Sequence, residues 1–345
     1  MKIVADEKIP YIQSALHQLA DVVVTKSGSN ITPEDVHNAD VLIVRTRTRC
    51  DRFLLQDSNV RLVVTATIGF DHLDVKWLEQ NGIQWANCPG CNATSVAQYV
   101  CNSLYALQQE RSLNLPSATV GIVGVGHVGT AVYRALRKAG VRRILLNDPP
   151  LETAGATAPD EQPWSTMSTL QTEADIITFH TPLTRTGVYP TWHLADATFF
   201  EGLQRQPIII NAARGGVVDE QALITALLRG RVRDTIIDTW EHEPHLSLDL
   251  LAKTFIATPH IAGYSADGKA NASRMTLEQI CRFMGRPMTF PVEPPPLAKG
   301  IRETGNTVTD ALILYDPRLD SQLLKGSPDA FESFRNNYPV RRETF

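Results

Sequence analysis

The segment that most constrains the fold of this chain is Ala118–Gly129, where an apolar run meets three closely spaced glycines. Its first half is rich in β-branched residues and predicts a buried strand. Gly124, Gly126 and Gly129 follow at once, and apolar residues then recur at helical spacing as far as Ala139. A strand, a glycine-rich turn and a helix in this order are typical of a parallel α/β sheet that binds a dinucleotide.

Each glycine of this turn has an expected backbone role. Gly124 makes the tight turn, Gly126 lets the backbone approach a pyrophosphate, and Gly129 lets helix and strand pack closely. The anion would lie at the helix N-terminus beside His127 and Val128, where free N–H groups and the helix dipole favour negative charge.

An acidic residue stands where this kind of site needs one. Asp148 follows the next apolar run, Arg143–Leu146, about 20 residues beyond Gly129. A carboxylate there binds the ribose hydroxyls and repels a 2′-phosphate, so the pattern favours NAD over NADP. The alternative is a flavodoxin-like fold in which the glycines are purely structural.

Strand-like runs alternate with helical stretches along residues 1–92 and again from residue 118 to about 257. This alternation predicts an α/β protein with helices covering parallel sheets. Between the two series, apolar residues from Val96 to Leu107 predict one long helix with a buried face. Prolines from Pro287 to Pro296 mark a linker, after which Ala311–Leu314 is a candidate strand and Pro328–Asn336 a candidate helix.

The apolar run Ile208–Asn211 leads to Arg214 on a glycine turn. The carboxyl end of a strand in a doubly wound sheet faces the ligand crevice. An arginine there can bind a carboxylate with two parallel hydrogen bonds and polarise an adjacent carbonyl. The alternative is a surface salt bridge, which the flanking glycines make less attractive.

Two further residues suggest acid–base chemistry. Glu243 follows the strand-like run Thr235–Asp238, and His260 follows the next one. Hydride transfer from an alcohol needs a base for the hydroxyl proton, and a carboxylate would orient the imidazole that accepts it. Spacing alone does not bring the two together, and either residue taken singly is more often structural.

These segments together carry a family resemblance. The motifs are Gly124–Gly129, His180–Leu183, Asn211–Gly215, the pair Glu243-Pro244, and Thr258–Gly263. In this order they resemble the D-isomer-specific 2-hydroxyacid dehydrogenases, from the first strand to about residue 285.

The resemblance implies two Rossmann-like, doubly wound parallel-sheet domains and NAD as cofactor. Residues 1–92, completed by 258–286, would form the substrate domain, and residues 93–257, with the long helix, would bind NAD. It also implies Arg214 on the substrate carboxylate, His260 as acid/base and Glu243 as its partner.

One branch of this family, acting on a phosphorylated four-carbon hydroxy acid, matches further segments. The matching segments are Asp6–Tyr11, Thr65–His72, Pro89–Ala93, Asn147–Pro150 and the C-terminal extension. The implied substrate contacts are Thr46, Thr67 and Tyr264. The implied cofactor contacts, besides the glycine turn with His127 and Val128, are Asp148, Thr181, Ala212, Ala213, Arg214, Asp238 and Gly263.

The chain departs from that branch at three places. Thr46 replaces the usual serine, and His127 replaces the usual asparagine. The extension, residues 287–345, stops soon after Arg342, so we expect a shortened α+β dimerisation segment. The expected partners are the small phosphorylated acid and a second copy of the chain.

The run Arg45-Thr46-Arg47-Thr48-Arg49 is a candidate site for the substrate phosphate. If this run is extended, all three arginines lie on one face. A solvated basic edge is an equally good interpretation. Arg45 and Arg47 are therefore predicted substrate contacts that need a direct test.

Other functions remain as alternatives. Cys88 and Cys91 have the spacing of a thiol redox pair, although a loop turn fits better. The acids and histidines of Glu241–His245 are too crowded to favour a metal site, so none is expected. A dehydrogenase for glyoxylate, hydroxypyruvate or 3-phosphoglycerate, or a catalytically silent NAD-sensing protein, would share most of these motifs.

Composition argues against several other classes of function. The net charge of -4 over 345 residues offers no general attraction to nucleic acid or to an anionic membrane. No apolar run approaches the roughly 20 residues of a membrane span, and the N-terminus lacks the apolar core of a signal peptide. Five cysteines, an odd number, suit a reducing cytoplasm.

Overall fold

A computed structural model describes residues 1–297 and 300–344. The chain divides into two compact units, which are described separately. The first comprises Met1–Asn92 with Ala266–Pro296, and the second comprises Ala93–Ser265 with Leu297–Phe345.

The strands and helices alternate along most of the chain. The strands are β1 Lys2–Asp6, β2 Val22–Lys26, β3 Val41–Val44, β4 Leu62–Thr65, β5 Gln84–Ala86, β6 Thr119–Val123, β7 Arg143–Asn147, β8 Ile176–Phe179, β9 Ile208–Asn211, β10 Asp234–Ile237 and β11 Ile256–Ala257. The helices are α1 Gln13–Leu19, α2 Pro33–Val36, α3 Arg52–Leu55, α4 Val75–Gln80, α5 Ala93–Arg111, α6 His127–Lys138, α7 Pro149–Thr153, α8 Met167–Glu173, α9 Ala197–Glu201, α10 Glu220–Leu228, α11 Leu248–Lys253, α12 Ala266–Phe283, α13 Thr307–Leu314, α14 Pro317–Gly326 and α15 Phe331–Asn336.

The first unit is built on a five-stranded parallel sheet in the order β2-β1-β3-β4-β5. The central strands β3 and β4 are buried at every position, as expected of strands with helices on both faces. α12 belongs to this unit because its Leu277, Ile280 and Cys281 join the same buried cluster as Ile3 and Ile43.

The second unit is built on a six-stranded parallel sheet in the order β11-β10-β9-β8-β6-β7. The chain reverses its direction of travel across this sheet between β6 and β8, where doubly wound sheets open a ligand crevice at their carboxyl ends. This order extends the flavodoxin-like one, so strand order alone does not decide between the two interpretations of the glycine turn. The predicted class, two doubly wound parallel sheets, is confirmed.

The long helix expected after Asn92 is α5, and its existence is confirmed. Tyr99, Val100 and Leu104 are fully buried and share one cluster with Val132 and Leu136 of α6. This packing fixes α6, whose first turn follows the glycine motif.

The boundaries of the units differ from those expected. The chain returns to the first unit at Ala266 rather than at residue 258. The segment after β11 stays in the second unit because the backbone N–H groups of Ile261 and Ala262 donate to Asp238 at the end of β10. Residues from Leu297 onward also belong to this second unit.

The strand expected at Ala311–Leu314 is wrong, because these residues lie in α13. The Asn306 side chain caps this helix by accepting from Thr309 N at 2.9 Å, and Ala311 and Leu312 pack against the main cluster of the unit. The helix expected at Pro328–Asn336 is found as a 3₁₀ turn followed by α15. Within residues 300–344 the C-terminal segment is therefore helical rather than α+β.

In the described part of the chain, no helix combines the length and the apolar character needed to cross a membrane.

Candidate active site

The glycine turn between β6 and α6 has a backbone that other residues would disrupt. Gly124 has φ +85°, in the left-handed region. A Cβ on Gly129 would lie 2.0 Å from the carbonyl oxygen of Gly124, whereas a Cβ on Gly126 would meet open space. The turn therefore requires glycine at two positions and leaves an uncrowded approach at Gly126.

The open space at Gly126 lies directly at the N-terminus of α6. Gly126 is the N-cap residue and has no side chain to satisfy the first N–H groups of the helix. Both Gly126 and His127 are exposed. The helix end thus presents backbone donors and the positive end of its dipole, which suit a pyrophosphate.

Asp148 lies at the end of β7, beside the same turn. One carboxylate oxygen accepts the N–H of Val125 at 2.8 Å, and the other caps α7 by accepting from Leu151 N at 3.1 Å. Each oxygen keeps a lone pair for another donor. Asp148 therefore fixes the turn and is also placed for a ribose hydroxyl.

The loop after β8 lies on the other side of the crevice that opens between β6 and β8. A Cβ on Gly124 would lie 2.8 Å from the Thr181 backbone nitrogen, so the two loops touch. Within the described chain, the Thr181 Oγ1 and the His180 Nδ1 are buried without a partner. Burial lowers the pKa of His180 to about 3, so this ring is neutral. Unpaired polar groups beside a free helix terminus fit a dinucleotide at this crevice.

Arg214 follows β9 in extended backbone and is exposed. The side chain of Asn211 braces the turn, donating to the Arg214 carbonyl at 3.1 Å and accepting from Ala213 N at 3.2 Å. The guanidinium Nη1 donates to the Ala213 carbonyl at 2.7 Å. Its remaining donors can bind an anion.

The turn after Arg214 lies against the loop that follows β10. A Cβ on Gly215 would come within 1.9 Å of the Trp240 carbonyl oxygen, so only glycine allows this approach. The N–H of Trp240 donates to the Glu243 Oε1 at 2.8 Å. This contact links the Arg214 turn to the loop that carries Glu243.

Glu243 and His260 are brought together, 17 residues apart in sequence. The His260 Nδ1 is 2.9 Å from Oε2 of Glu243 and 3.1 Å from Oε1. Burial would raise the pKa of Glu243, but the hydrogen bond and charge of His260 outweigh it and hold that pKa below its usual value. An ionised Glu243 accepts a hydrogen bond from the Nδ1–H group, which leaves the lone pair of the neutral imidazole on Nε2.

Asp238 is buried and makes its contacts within the protein. Its carboxylate accepts from the Thr258 hydroxyl at 2.7 Å and from the backbone N–H groups of Ile261 at 2.8 Å and Ala262 at 3.0 Å. Burial raises the pKa of Asp238 against the opposing effect of His260. Its visible role is to hold the Thr258–Gly263 loop.

The other expected substrate residues are divided between the units. In the first unit Thr46 is exposed, while the Thr67 hydroxyl donates to the Gly69 carbonyl at 2.9 Å and lies 2.6 Å from the Thr65 hydroxyl. Tyr264 belongs to the second unit, where its ring meets Tyr338 edge-on at 6.1 Å.

The Arg45–Arg49 run is not extended, so the condition under which its three arginines would share one face is not met. The chain turns here, with the N–H of Thr48 donating to the Arg45 carbonyl, and the buried Thr48 hydroxyl donates to Gly28. Arg49 pairs with Asp51 at 2.9 Å. Three arginines on one extended face are therefore not found, although Arg47 remains exposed.

Two alternative sites can be judged from the same geometry. All five cysteines are buried free thiols, and burial raises the pKa of Cys88 to about 11 and that of Cys91 to about 12. Such thiols are poor nucleophiles. Over residues 1–297 and 300–344, no three His, Cys, Asp or Glu side chains are grouped to hold a metal ion.

One participant in the site was not anticipated from sequence. Glu220 is 8% exposed and accepts the backbone N–H of Glu241 at 2.8 Å, which braces the loop that carries Glu243. Burial raises its pKa. An acid in the first turn of a helix is ordinary, so the sequence offered no signal for this contact.

Comparisons with known proteins agree with this architecture. Residues 93–262 match the family described as "D-isomer specific 2-hydroxyacid dehydrogenase, NAD binding domain", which confirms the expected cofactor. An erythronate-4-phosphate dehydrogenase of Bacteroides fragilis is 48% identical over 343 residues, covering 99% of this chain and 97% of that protein. One of Edwardsiella ictaluri is 42% identical, covering 99% of this chain and 93% of that protein.

Solved structures show the same fold at lower identity. A D-isomer specific 2-hydroxyacid dehydrogenase from Lactobacillus delbrueckii, in its NAD-complexed form, superposes with a TM-score of 0.67 at 22% identity, covering 84% of this chain and 99% of that one. A D-2-hydroxyisocaproate dehydrogenase gives 0.68 at 21% identity, covering 82% and 97%. With its relatives at 42% and 48% identity over nearly the whole chain, this protein belongs to the D-isomer specific 2-hydroxyacid dehydrogenase family, among the relatives of the erythronate-4-phosphate dehydrogenases.

Proposed function

We propose that this enzyme oxidises 4-phospho-D-erythronate at C2, forming 2-oxo-3-hydroxy-4-phosphobutanoate, NADH and a proton, as a step in pyridoxine 5′-phosphate biosynthesis. The observation that carries the chemistry is the hydrogen-bonded Glu243–His260 pair in the loops next to the Arg214 turn. The choice of substrate is supported by the name shared by relatives at 39–48% identity.

The proposed cofactor residues follow the strands of the six-stranded sheet in the second unit. Bound NAD supplies the acceptor for the hydride. The backbone of Gly124, Gly126, His127, Val128 and Gly129 would hold the pyrophosphate, and Asp148 the ribose hydroxyls. The remaining proposed contacts are Thr181, Ala212, Ala213, Arg214, Asp238 and Gly263.

His260 is the proposed general base. It removes the proton of the C2 hydroxyl at Nε2 while the C2 hydride leaves. Glu243 keeps the other nitrogen protonated and stabilises the imidazolium that forms. Arg214 holds the substrate carboxylate and polarises the carbonyl that develops at C2.

Isotope transfer tests this reaction directly. With NAD and 4-phospho-D-erythronate deuterated at C2, the enzyme should place the deuterium on the nicotinamide ring, which mass spectrometry of the reduced cofactor detects. Substrate deuterated only at C3 is the control and should give unlabelled NADH. Label from C3, or no NADH with either substrate, would refute the proposal.

The two glycines of the cofactor turn should respond differently to alanine. Gly126→Ala should leave the melting temperature unchanged, because its Cβ meets open space at φ -70°, yet weaken NADH binding by about tenfold or more by crowding the pyrophosphate. Gly129→Ala should lower the melting temperature, because its Cβ would clash with backbone. Calorimetry and NADH fluorescence titration measure both effects. Unchanged NADH affinity in Gly126→Ala would contradict the assigned cofactor site.

Arg45 and Arg47, with Thr46, are the proposed contacts of the substrate phosphate. Arg45→Ala or Arg47→Ala should raise KM for 4-phosphoerythronate far more than KM for unphosphorylated erythronate, because only the former loses a charged partner. Arg49→Ala is the matched control, since Arg49 already pairs with Asp51. Steady-state kinetics with both substrates decide this, and equal effects on the two KM values would reject the assignment.

Thr67 and Tyr264 are the remaining proposed substrate contacts. We also propose that the enzyme works in the cytoplasm as a homodimer formed through its C-terminal segment. Five buried free thiols are consistent with a reducing compartment. Exposed Leu319 and Leu323 on α14 provide apolar area for self-association.

A further inference from the structure

The C-terminal tail of the chain contacts the loop that carries His260. Arg341 is only 4% exposed. Its guanidinium donates to the carbonyl oxygens of Ala262 at 2.6 Å and Ile261 at 3.4 Å, and to the carbonyl and hydroxyl of Ser95 in the first turn of α5. These bonds join three parts of the chain: the Thr258–Gly263 loop that carries His260, here called the catalytic loop, the long helix α5, and the tail.

The same two loop residues are held from their other side. Asp238 accepts hydrogen bonds from the backbone N–H groups of Ile261 and Ala262, while Arg341 donates to the carbonyl oxygens of the same two residues. The peptide unit between Ile261 and Ala262 therefore donates its N–H to the Asp238 carboxylate and accepts from the Arg341 guanidinium at its carbonyl oxygen. Charge-assisted hydrogen bonds of this kind are the stronger ones in proteins.

The backbone conformation of His260 explains why these hydrogen bonds matter. Its φ is +56°, in the left-handed region that non-glycine residues rarely adopt. A residue persists there only when its surroundings determine it. Arg341 and Asp238 hold the backbone immediately after His260. They therefore fix the direction in which the imidazole projects from the backbone.

Neighbouring groups hold the tail in place. The Arg342 carbonyl accepts from Gln98 Nε2 at 2.9 Å, and the Glu343 carboxylate accepts from the Ser265 hydroxyl at 2.6 Å. The Arg341 guanidinium also lies 4.2 Å from the ring centroid of Tyr315. A buried guanidinium is costly, and an apolar residue would fill the same space at lower cost, so packing alone does not account for an arginine here.

We propose that Arg341 is a positioning residue for the dehydrogenase reaction, through which the C-terminal segment of each chain orients His260 of that same chain. This role is additional to self-association and rests on the proposed function of His260. It predicts that damage at Arg341 slows the chemical step rather than only loosening the fold.

Arg341→Met should lower kcat by roughly tenfold to a hundredfold, the effect of a small misplacement of a catalytic group. Arg341→Lys should recover part of the loss, because an ammonium can still donate to one carbonyl. Arg318→Met is the matched control, since Arg318 ties α14 to Glu110 of α5 without bonding the catalytic loop. It should lower the melting temperature while changing kcat less than twofold.

A double-mutant comparison shows whether Arg341 acts through His260. Rates are measured well below each melting temperature, with NAD and 4-phosphoerythronate. In a His260→Asn background, Arg341→Met should cost less than twofold further. The inference is overturned if Arg341→Met costs as much there as in the wild type, if the wild-type loss is under twofold, or if Arg318→Met lowers kcat equally. If His260→Asn itself leaves kcat unchanged, the proposed function fails and this inference fails with it.

Discussion

Replacing His260 with asparagine should lower kcat by about a hundredfold or more, the usual contribution of a general base. Asparagine can still bond Glu243 but accepts no proton at neutral pH. The chemical step then loses its base, whereas NADH affinity should stay within a few-fold of wild type. Steady-state kinetics and fluorescence titration measure the two quantities separately.

His245→Asn is the control for this experiment. His245 is exposed in the same stretch of chain as Glu243, so its replacement should leave kcat unchanged. An unaltered kcat in His260→Asn would remove the proposed mechanism. A wild-type protein that binds NADH but turns over no acid would instead support an NAD-sensing role.

Arg214→Met should reduce kcat/KM by about a hundredfold or more, since hydrogen bonds to charged groups contribute about 1.5–3 kcal/mol each. The loss should depend on the substrate carboxylate. Wild-type enzyme should strongly prefer the acid to its methyl ester, and Arg214→Met should lose most of that preference. Arg214→Lys should fall between, because it keeps the charge but not the paired donors.

Arg229→Met controls for a general effect of removing an arginine from this unit. Arg229 is exposed at the end of α10 and should be replaceable without loss of rate. If Arg214→Met discriminates acid from ester as well as wild type does, Arg214 does not bind the carboxylate.

The parts of the site that sequence could predict are those fixed by local backbone geometry. The glycine turn is one, because Gly124 needs a left-handed φ and Gly129 leaves no space for a Cβ. Strand-end positions such as Arg214 are another, since a buried run followed by glycines marks the crevice side of a parallel sheet.

The Glu243–His260 contact depended on tertiary structure. It forms because β10 and β11 are neighbours in the sheet, so the loops that follow them meet. A single sequence contains no local signal for that pairing. Arg341 was missed for the same reason, as its partners Ser95 and Ala262 lie far away along the chain.

One local expectation failed, and the condition set for the Arg45–Arg49 run was not met, because tertiary contacts determined the local backbone. The apolar residues Ala311–Leu314 suit a strand, but the Asn306 cap and packing against the main cluster favour a helix. The Arg45–Arg49 run turns because the Thr48 hydroxyl is bonded inward to Gly28. Neither contact was visible in the pattern of residues.

Substrate choice distinguishes the proposed function from its nearest alternative, a dehydrogenase for glyoxylate, hydroxypyruvate or 3-phosphoglycerate. The most direct measurement is kcat/KM for a panel of these acids and 4-phospho-D-erythronate, each with NAD and with NADP. We expect the highest value for 4-phospho-D-erythronate with NAD, by at least about tenfold over every other pair of acid and cofactor. A higher kcat/KM for any other acid, or for NADP, would contradict it.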